Sequence, residues 1–349
     1  MLTYFIRKLI YAFLVLAGAV TLVFWMFQGF GDPERMILGQ TGDSATLANI
    51  RKELTLDQPR WKQFVLYCND LSPVSLHSRE EIARKNLRGF FGGSETVVAL
   101  KLPYLRTSYQ TKKEVGAVLL DALPGTLLLA TAAMLLATVL GIFLGVVAAV
   151  KKDTWMDTSA VFASILGISA PSFFMGILIA WIFGFLLRPW TGLHMTGSWF
   201  DIDVETGEQV YTLRNLILPA LTLGIRPLAI ITQLTRSAML DVLNQDYIRT
   251  AYAKGMPAHV VVWKHALRNA LNPVITAVTG WFAELLAGAF FVEYIFGWKG
   301  IGKITVDALE KLDYPVVMGS VLLAAVLFVL MNMLADLLYG AADPRVRSH

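Results

Sequence analysis

The sequence predicts an all-α membrane protein with about six spans and a soluble subdomain between the first two, and three observations predict it. Hydrophobic residues make up 56% of the 349 positions and charged residues only 16%, against roughly 45–50% and about 25% in a soluble domain. About six segments hold some 20 mainly apolar residues, the length a helix needs to cross a bilayer with its backbone bonded within itself. Lys and Arg in the short connections fall on alternate sides, as the positive-inside rule requires.

The first span covers residues 1–29. Arg7 and Lys8 precede an apolar run from Leu9 to Phe27, and Ala17-Gly18-Ala19 imitates a signal-peptidase site. The run continues through Val20–Met26, so an uncleaved helix with its N-terminus inside is expected. Residues 30–121 carry both charge signs over a stretch too long for the loop-charge rule, and form the external subdomain. In "SATLANIRKELTLDQPRWKQFVLYCNDL" a Ser44 cap and spaced apolar residues suggest two amphipathic helices broken near Asp57–Pro59. From Ser72 to Pro103, Gly92-Gly93 suggests a turn between a helix and an extended segment.

Residues 122–340 hold five further spans, near 123–150, 158–187, 214–240, 272–296 and 316–339. Pro171 in "SAPSFF" removes a backbone donor and predicts a kink or break in the third span. Lys151, Lys152, the loop 241–271 with Arg249, Lys254, Lys264 and Arg268, and the tail 341–349 with Arg345 and Arg347 lie inside by charge. The loop near 188–213 carries Asp201, Asp203, Glu205 and Glu208 against Arg188 and fits the outside. Both termini are therefore expected in the cytoplasm.

Several functions lose support at this level. The net charge of +4 is modest and its basic residues are scattered, so nucleic acid is not an expected partner. A lone Cys68 rules out an intrachain disulfide and a cysteine-based zinc cluster. No H-E-x-x-H or G-x-S-x-G occurs, and His77, His194, His259, His265 and His349 show no paired metal spacing, so an intramembrane hydrolase has no motif behind it. "FGWKGIGKIT" nearly spaces a phosphate loop, but Ile304 stands where Ser or Thr must follow Lys303. Any ATP acts on another subunit, and no cofactor is expected on this chain.

Charges inside spans are costly and often functional. Arg226 and Glu284 sit deep and are candidates for a translocation path or inter-helix pairing. Arg236 and Glu293 read as side chains snorkelling near a membrane face. The loop "DYIRTAYAKGMPAHVVVWKHALRNALNPVI" predicts a short helix from Tyr247 to Lys254, a turn at Gly255, and no smooth continuation past Pro257. With small Ala251 and Ala253, such a helix fits a groove on a cytosolic partner; a plain connector is the alternative.

That loop resembles the signature segment of ABC-importer permeases, and "DYIRTAYAKG" with "KHALRNALNPV" is similar to the dipeptide, oligopeptide and nickel branch. The resemblance runs along most of the chain, through "ELTLDQPRWKQF", "LRTSYQT", "LPGTLLLA", "SAPSFF", "LILPALTLG", "LTRSAMLDVL", "VEYIFGWKGIGKITVDALEKLDYPVVMG" and "ADPRVR". Departures are Arg249-Thr250-Ala251 where the wider family has Glu-Ala-Ala, Lys299 where Pro is common before Gly300, and an apparent insertion near 72–103.

The resemblance implies a MetI-like type I importer core in the inner membrane, a homologous second permease, two ABC ATPase subunits that hold ATP and Mg, and an external substrate-binding protein. It assigns Asp246, Tyr247, Arg249, Thr250, Ala251, Ala253, Lys254 and Gly255 to ATPase coupling. Gly297, Gly300, Gly302 and Lys303 fall in an external loop near the gate. Peptide is the implied substrate, with nickel or another small solute as the alternative. A membrane receptor or assembly protein, motivated by the long external segment, is the reading from a different class.

Overall fold

The computed structural model describes residues 2–28, 57–85, 87, 89–92, 96–202 and 208–342. Among the described residues four helices are long and apolar enough to cross a membrane: Ile6–Phe27, Val115–Val150, Leu213–Leu243 and Tyr314–Ala335. Two bent pairs, Trp155–Ser169 with Ser172–Leu186 and Ala258–Leu286 with Phe290–Phe296, bring the total to six if each pair is one span. These six match the expected segments in order. The second begins at Val115 rather than near 123, and the last helix runs to Ala342, past the boundary expected at 340.

The chain divides into two compact units. The first draws on residues up to Ala122 and on Ile304–Val326. Helix α1 (Leu2–Gln28) buries Val23 and Phe24 against Tyr67 of α2 (Arg60–Leu71) and against Met318 and Leu322. Phe24 and Tyr67 stack at 5.7 Å, and the Arg106 guanidinium lies 5.1 Å from the Tyr67 ring centre. The second of the two expected amphipathic helices is thus present; Ser44 and the first lie outside the described residues.

The section from 72 to 103 is not a helix followed by one extended piece. It builds β1 (Val74–Ser78), α3 (Arg79–Arg84), β2 (Gly89–Gly92) and β3 (Thr96–Lys101), with β3 central in an antiparallel sheet of order β1-β3-β2. Gly92 therefore ends a strand rather than following a helix. Helix α3 starts in a capping box between Ser78 and Glu81, a pattern that satisfies two otherwise unbonded amides. The Asn69 side chain bonds both backbone groups of Leu76, continuing the pairing beyond edge strand β1. Farther on, buried Asp313 accepts from Ser108 Oγ and from Tyr109 N at 2.9 Å, tying the approach to the second span to the loop before the last.

The second unit, Leu123–Lys303 with the residues from Leu327 onward, holds the central helices. Its elements are α4 (Val115–Val150, which starts in the first unit), α5 (Trp155–Ser169), α6 (Ser172–Trp181), α7 (Ile217–Leu243), α8 (Asp246–Ala253), α9 (Leu267–Gly288) and α10 (Phe290–Phe296). Helices α11 (Ile301–Glu310) and α12 (Tyr314–Ala342) follow. Phe200–Ile202 (β4) and Gln209–Tyr211 (β5) pair as a short antiparallel ribbon.

Close approach between α4 and α7 rests on Gly141 and Gly145. A Cβ at either would run into Ile231 or Thr235 on α7, the small-residue spacing that lets apolar helices pack in lipid. The break at Pro171 is as expected: Ala170 and Pro171 are extended, and α5 and α6 meet at 112°. The other bend, 59° before Phe290, has no proline to announce it.

Candidate functional site

Helix α8 is held by one face only. Ile248 and Ala251 are buried among Val146, Met239, Val261, Val262 and Ala266, while Asp246, Tyr247, Arg249, Thr250, Ala253 and Lys254 are exposed. Tyr247 Oη accepts from Asn269 Nδ2 at 2.7 Å, a second anchor at the helix start. The helix ends as the sequence predicts. Gly255 takes φ +76°, its N–H bonds the Tyr252 carbonyl at 2.9 Å, and the Met256 N–H bonds the Ala251 carbonyl at 3.3 Å. This is a Schellman closure, which needs a left-handed residue that glycine adopts without strain. A side chain at 255 would meet nothing within 4 Å. The Arg249 to Asp246 ion pair, 3.5 Å and solvent-exposed, adds little.

The same closure ends α10. Gly297 has φ +67°, and the Trp298 N–H bonds the Glu293 carbonyl at 2.8 Å. Beyond it, the expectation of a glycine-turned loop through Gly302 and Lys303 needs correction. Gly302 and Lys303 belong to the first turn of α11, and Gly297 alone of the three glycines is left-handed. Gly300 and Gly302 serve a close approach instead, since a Cβ at either would overlap the Glu293 carboxylate.

Glu293 is fully buried, which overturns the expectation that it snorkels. Its Oε1 accepts from Thr126 Oγ1 at 2.7 Å and its Oε2 from Lys303 N at 3.1 Å, while Thr126 Oγ1 accepts from Ile301 N at 2.8 Å. A carboxylate and a hydroxyl from two other helices therefore cap α11, where amides lack intrahelical acceptors and the dipole favours negative charge. Trp298, fully buried, donates from Nε1 to the Gly125 carbonyl at 2.9 Å.

Arg236 also corrects the snorkelling expectation. Its Nε and Nη2 donate to the two carboxylate oxygens of Asp157 at 2.5 and 2.7 Å, and Asp157 is buried at the start of α5. Sequence reading missed Asp157. An acid in the first turn of an apolar segment was the signal, because such a group requires a partner.

Arg226 and Glu284, from α7 and α9, line one cavity of about 300 Å³ at the α5–α6 break. The Arg226 guanidinium lies 5.5 Å from the Trp281 ring centre, within cation–π range. Among the described residues the two charges form no ion pair with each other or with a third group. The cavity, not a bridge, is what brings them together.

Residues 141–348 match the family described as "Binding-protein-dependent transport system inner membrane component", and residues 1–130 match its N-terminal companion. The "Dipeptide transport system permease protein DppB" of Alkalihalophilus pseudofirmus is 34% identical over 99% of this chain and 100% of its own length. The "Di/tripeptide transport system permease protein DppB" of Pseudomonas aeruginosa is 36% identical over 99% of both, and the Escherichia coli K12 dipeptide permease DppB 36% over 91% and 90%. A solved structure of the MetNI methionine ABC transporter in inward-facing form matches 65% of this chain and 97% of that one, with a TM-score of 0.51 at 17% identity. That likeness shows the fold, a MetI-like helical core. With these matches spanning nearly the whole chain, it belongs to the binding-protein-dependent transport system inner membrane components, the permease subunits of ABC importers.

Proposed function

We propose that this chain is the permease subunit of an ATP-driven peptide importer, and that it forms half of the translocation path beside a homologous second permease. The observation that carries the reading is the end-to-end similarity to permeases named for dipeptide transport. Both termini face the cytoplasm, residues 30–121 face outward, and a separate binding protein delivers the substrate. Two partner ATPases hold ATP and Mg²⁺. Helix α8 docks on one of them through Tyr252, Ala253, Lys254 and the turn at Gly255. ATP-driven closure of the ATPases moves α8, and α7 and α9 follow because Ile248 and Ala251 are packed beneath them. The path then alternates between outside-open and inside-open states, biased by their different affinities for nucleotide and partner. The Glu293 knot lies at the outer gate.

Uptake by the reconstituted complex tests this. Labelled dipeptide accumulates in an ATP-dependent manner while nickel does not; accumulation of nickel alone overturns the substrate. A chain that co-purifies with neither an ATPase nor a second permease is a receptor or assembly protein instead.

A further inference from the structure

We infer that the cavity at the α5–α6 break is a substrate site with two poles, one for the carboxylate and one for the ammonium of a short zwitterionic peptide. The inference rests on the peptide-importer reading and adds the residues that recognise the peptide's ends. The cavity collects positive and negative groups that do not satisfy each other.

On the positive side stand the Arg226 guanidinium and the start of α6. The break leaves the amides of Ser172, Phe173 and Phe174 without intrahelical acceptors, since the first helical bond is Met175 N to the Pro171 carbonyl at 3.1 Å. Pro171 at the cap position has no side-chain group to cover them. Unbonded amides at a helix start favour an anion. A guanidinium adds planar, bidentate recognition of a carboxylate, and Trp281 fixes its plane from one face.

On the negative side stand Glu284 and two sets of carbonyls. The last turn of α5, Gly167 to Ser169, lines the cavity, and the break deprives its carbonyls of helical donors. Within α7, Pro227 has no N–H to offer the Leu223 carbonyl one turn back, and both residues line the same space. A carboxylate with carbonyls around it suits an ammonium.

Two opposite unpaired charges in a span are expensive unless a pathway or a ligand uses them. Had they served only to hold α7 to α9 they would meet in an ion pair, as Arg236 and Asp157 do. A volume of about 300 Å³ falls at the small end of ligand sites. It suits a peptide of two or three residues, not an extended chain.

Two measurements on the assembled transporter test this. Uptake of alanyl-alanine into vesicles, with the binding protein present, tests the peptide reading. Equilibrium binding to the same complex without the binding protein tests the two poles, with three probes: alanyl-alanine, its C-terminal amide and its N-acetyl form. For wild type, either blocked form binds at least tenfold more weakly than the zwitterion. Arg226→Gln weakens alanyl-alanine at least tenfold but changes the amide, which has no carboxylate, less than twofold. Glu284→Gln weakens alanyl-alanine as much and spares the N-acetyl form. Arg226→Lys assembles and keeps part of the carboxylate preference.

Equal effects on all three probes, or no effect, overturn the inference. So does uptake by a wild type that shows no binding, with the peptide reading left standing. If none of the Arg226 and Glu284 variants assembles, the charges are structural and the inference is overturned. A wild type that takes up no peptide overturns both.

Discussion

The Glu293 carboxylate occupies the space that a side chain at Gly300 would need, so the acid and the glycine are a single fitted pair. Gly300→Ala must push the carboxylate from its bonds to Thr126 and Lys303, and overpacking of this kind costs about 1–3 kcal/mol. Glu293→Ala removes the acceptor of Lys303 N and leaves Thr126 alone to cap the start of α11, at about 1–3 kcal/mol for the orphaned amide. The double variant loses less than the sum, because truncating Glu293 vacates the space the new Cβ takes; additive losses would sink the pairing. Thermal inactivation midpoints in detergent, at one scan rate, are the measurement.

Asp157 and Arg236 yield a second double-variant test. Asp157→Asn leaves the guanidinium facing a neutral group and takes the charge from the bond that Asp153 N makes at 3.0 Å. Breaking a buried pair costs about 3–5 kcal/mol, and the partial exposure of Arg236 lowers the expected loss to about 1–3 kcal/mol. Arg236→Lys loses the forked geometry and most of the same stability. Asp157→Asn with Arg236→Gln recovers part of the loss. A pair variant as unstable as the sum of the singles would show that the bridge is not a unit.

Much of this molecule was legible in its sequence because lipid imposes simple rules. Six apolar segments, the Pro171 break, and the helix and glycine stop from Asp246 to Gly255 follow from length, a missing amide and a left-handed turn. What stayed hidden depends on contacts between residues far apart in the chain. Glu293 finds Thr126, and Arg236 finds Asp157, across distances that no local pattern encodes. A charge near the end of a span looks the same from sequence whether it reaches water or a buried partner. The three-stranded sheet was missed for another reason: β2 is four residues long with glycine at both ends, too short to show an alternation.

His77 predicts acid sensitivity in the small sheet subdomain. It is buried on β1, and among the described residues neither ring nitrogen has a hydrogen-bond partner, with Glu81 3.6 Å from Nδ1. Burial, helped by the positive charges of Lys85 and Lys101, holds its pKa below the usual value; Asp70 and Glu81 pull the other way and do not win. The unfolded chain therefore takes up a proton at a higher pH than the folded one. Stability is fully present above about pH 6.5 and falls as the pH drops below it, because the unfolded state then binds more protons. His77→Leu narrows the drop in inactivation midpoint between neutral and acidic buffer. An unchanged drop would assign the acid sensitivity to other groups.

The coupling assignment can be separated from backbone strain at one position. Gly255 holds φ +76°, so any L-residue there pays about 1–2 kcal/mol whatever its size. Among the described residues nothing lies within 4 Å of its missing Cβ, so neither side chain meets an obstacle at its first carbon. Gly255→Ala and Gly255→Trp should then lower the inactivation midpoint of the isolated permease equally. In the assembled complex they must differ if α8 sits in an ATPase groove. Alanine is expected to keep at least half of the peptide-stimulated ATP hydrolysis and uptake, and tryptophan to lose both tenfold or more. Ala253→Arg and Tyr252→Ala, on the same exposed surface and with ordinary helical backbones, should follow tryptophan and not alanine. Equal activity in the alanine and tryptophan variants would mean that nothing docks at this turn, leaving α8 a connector between two spans.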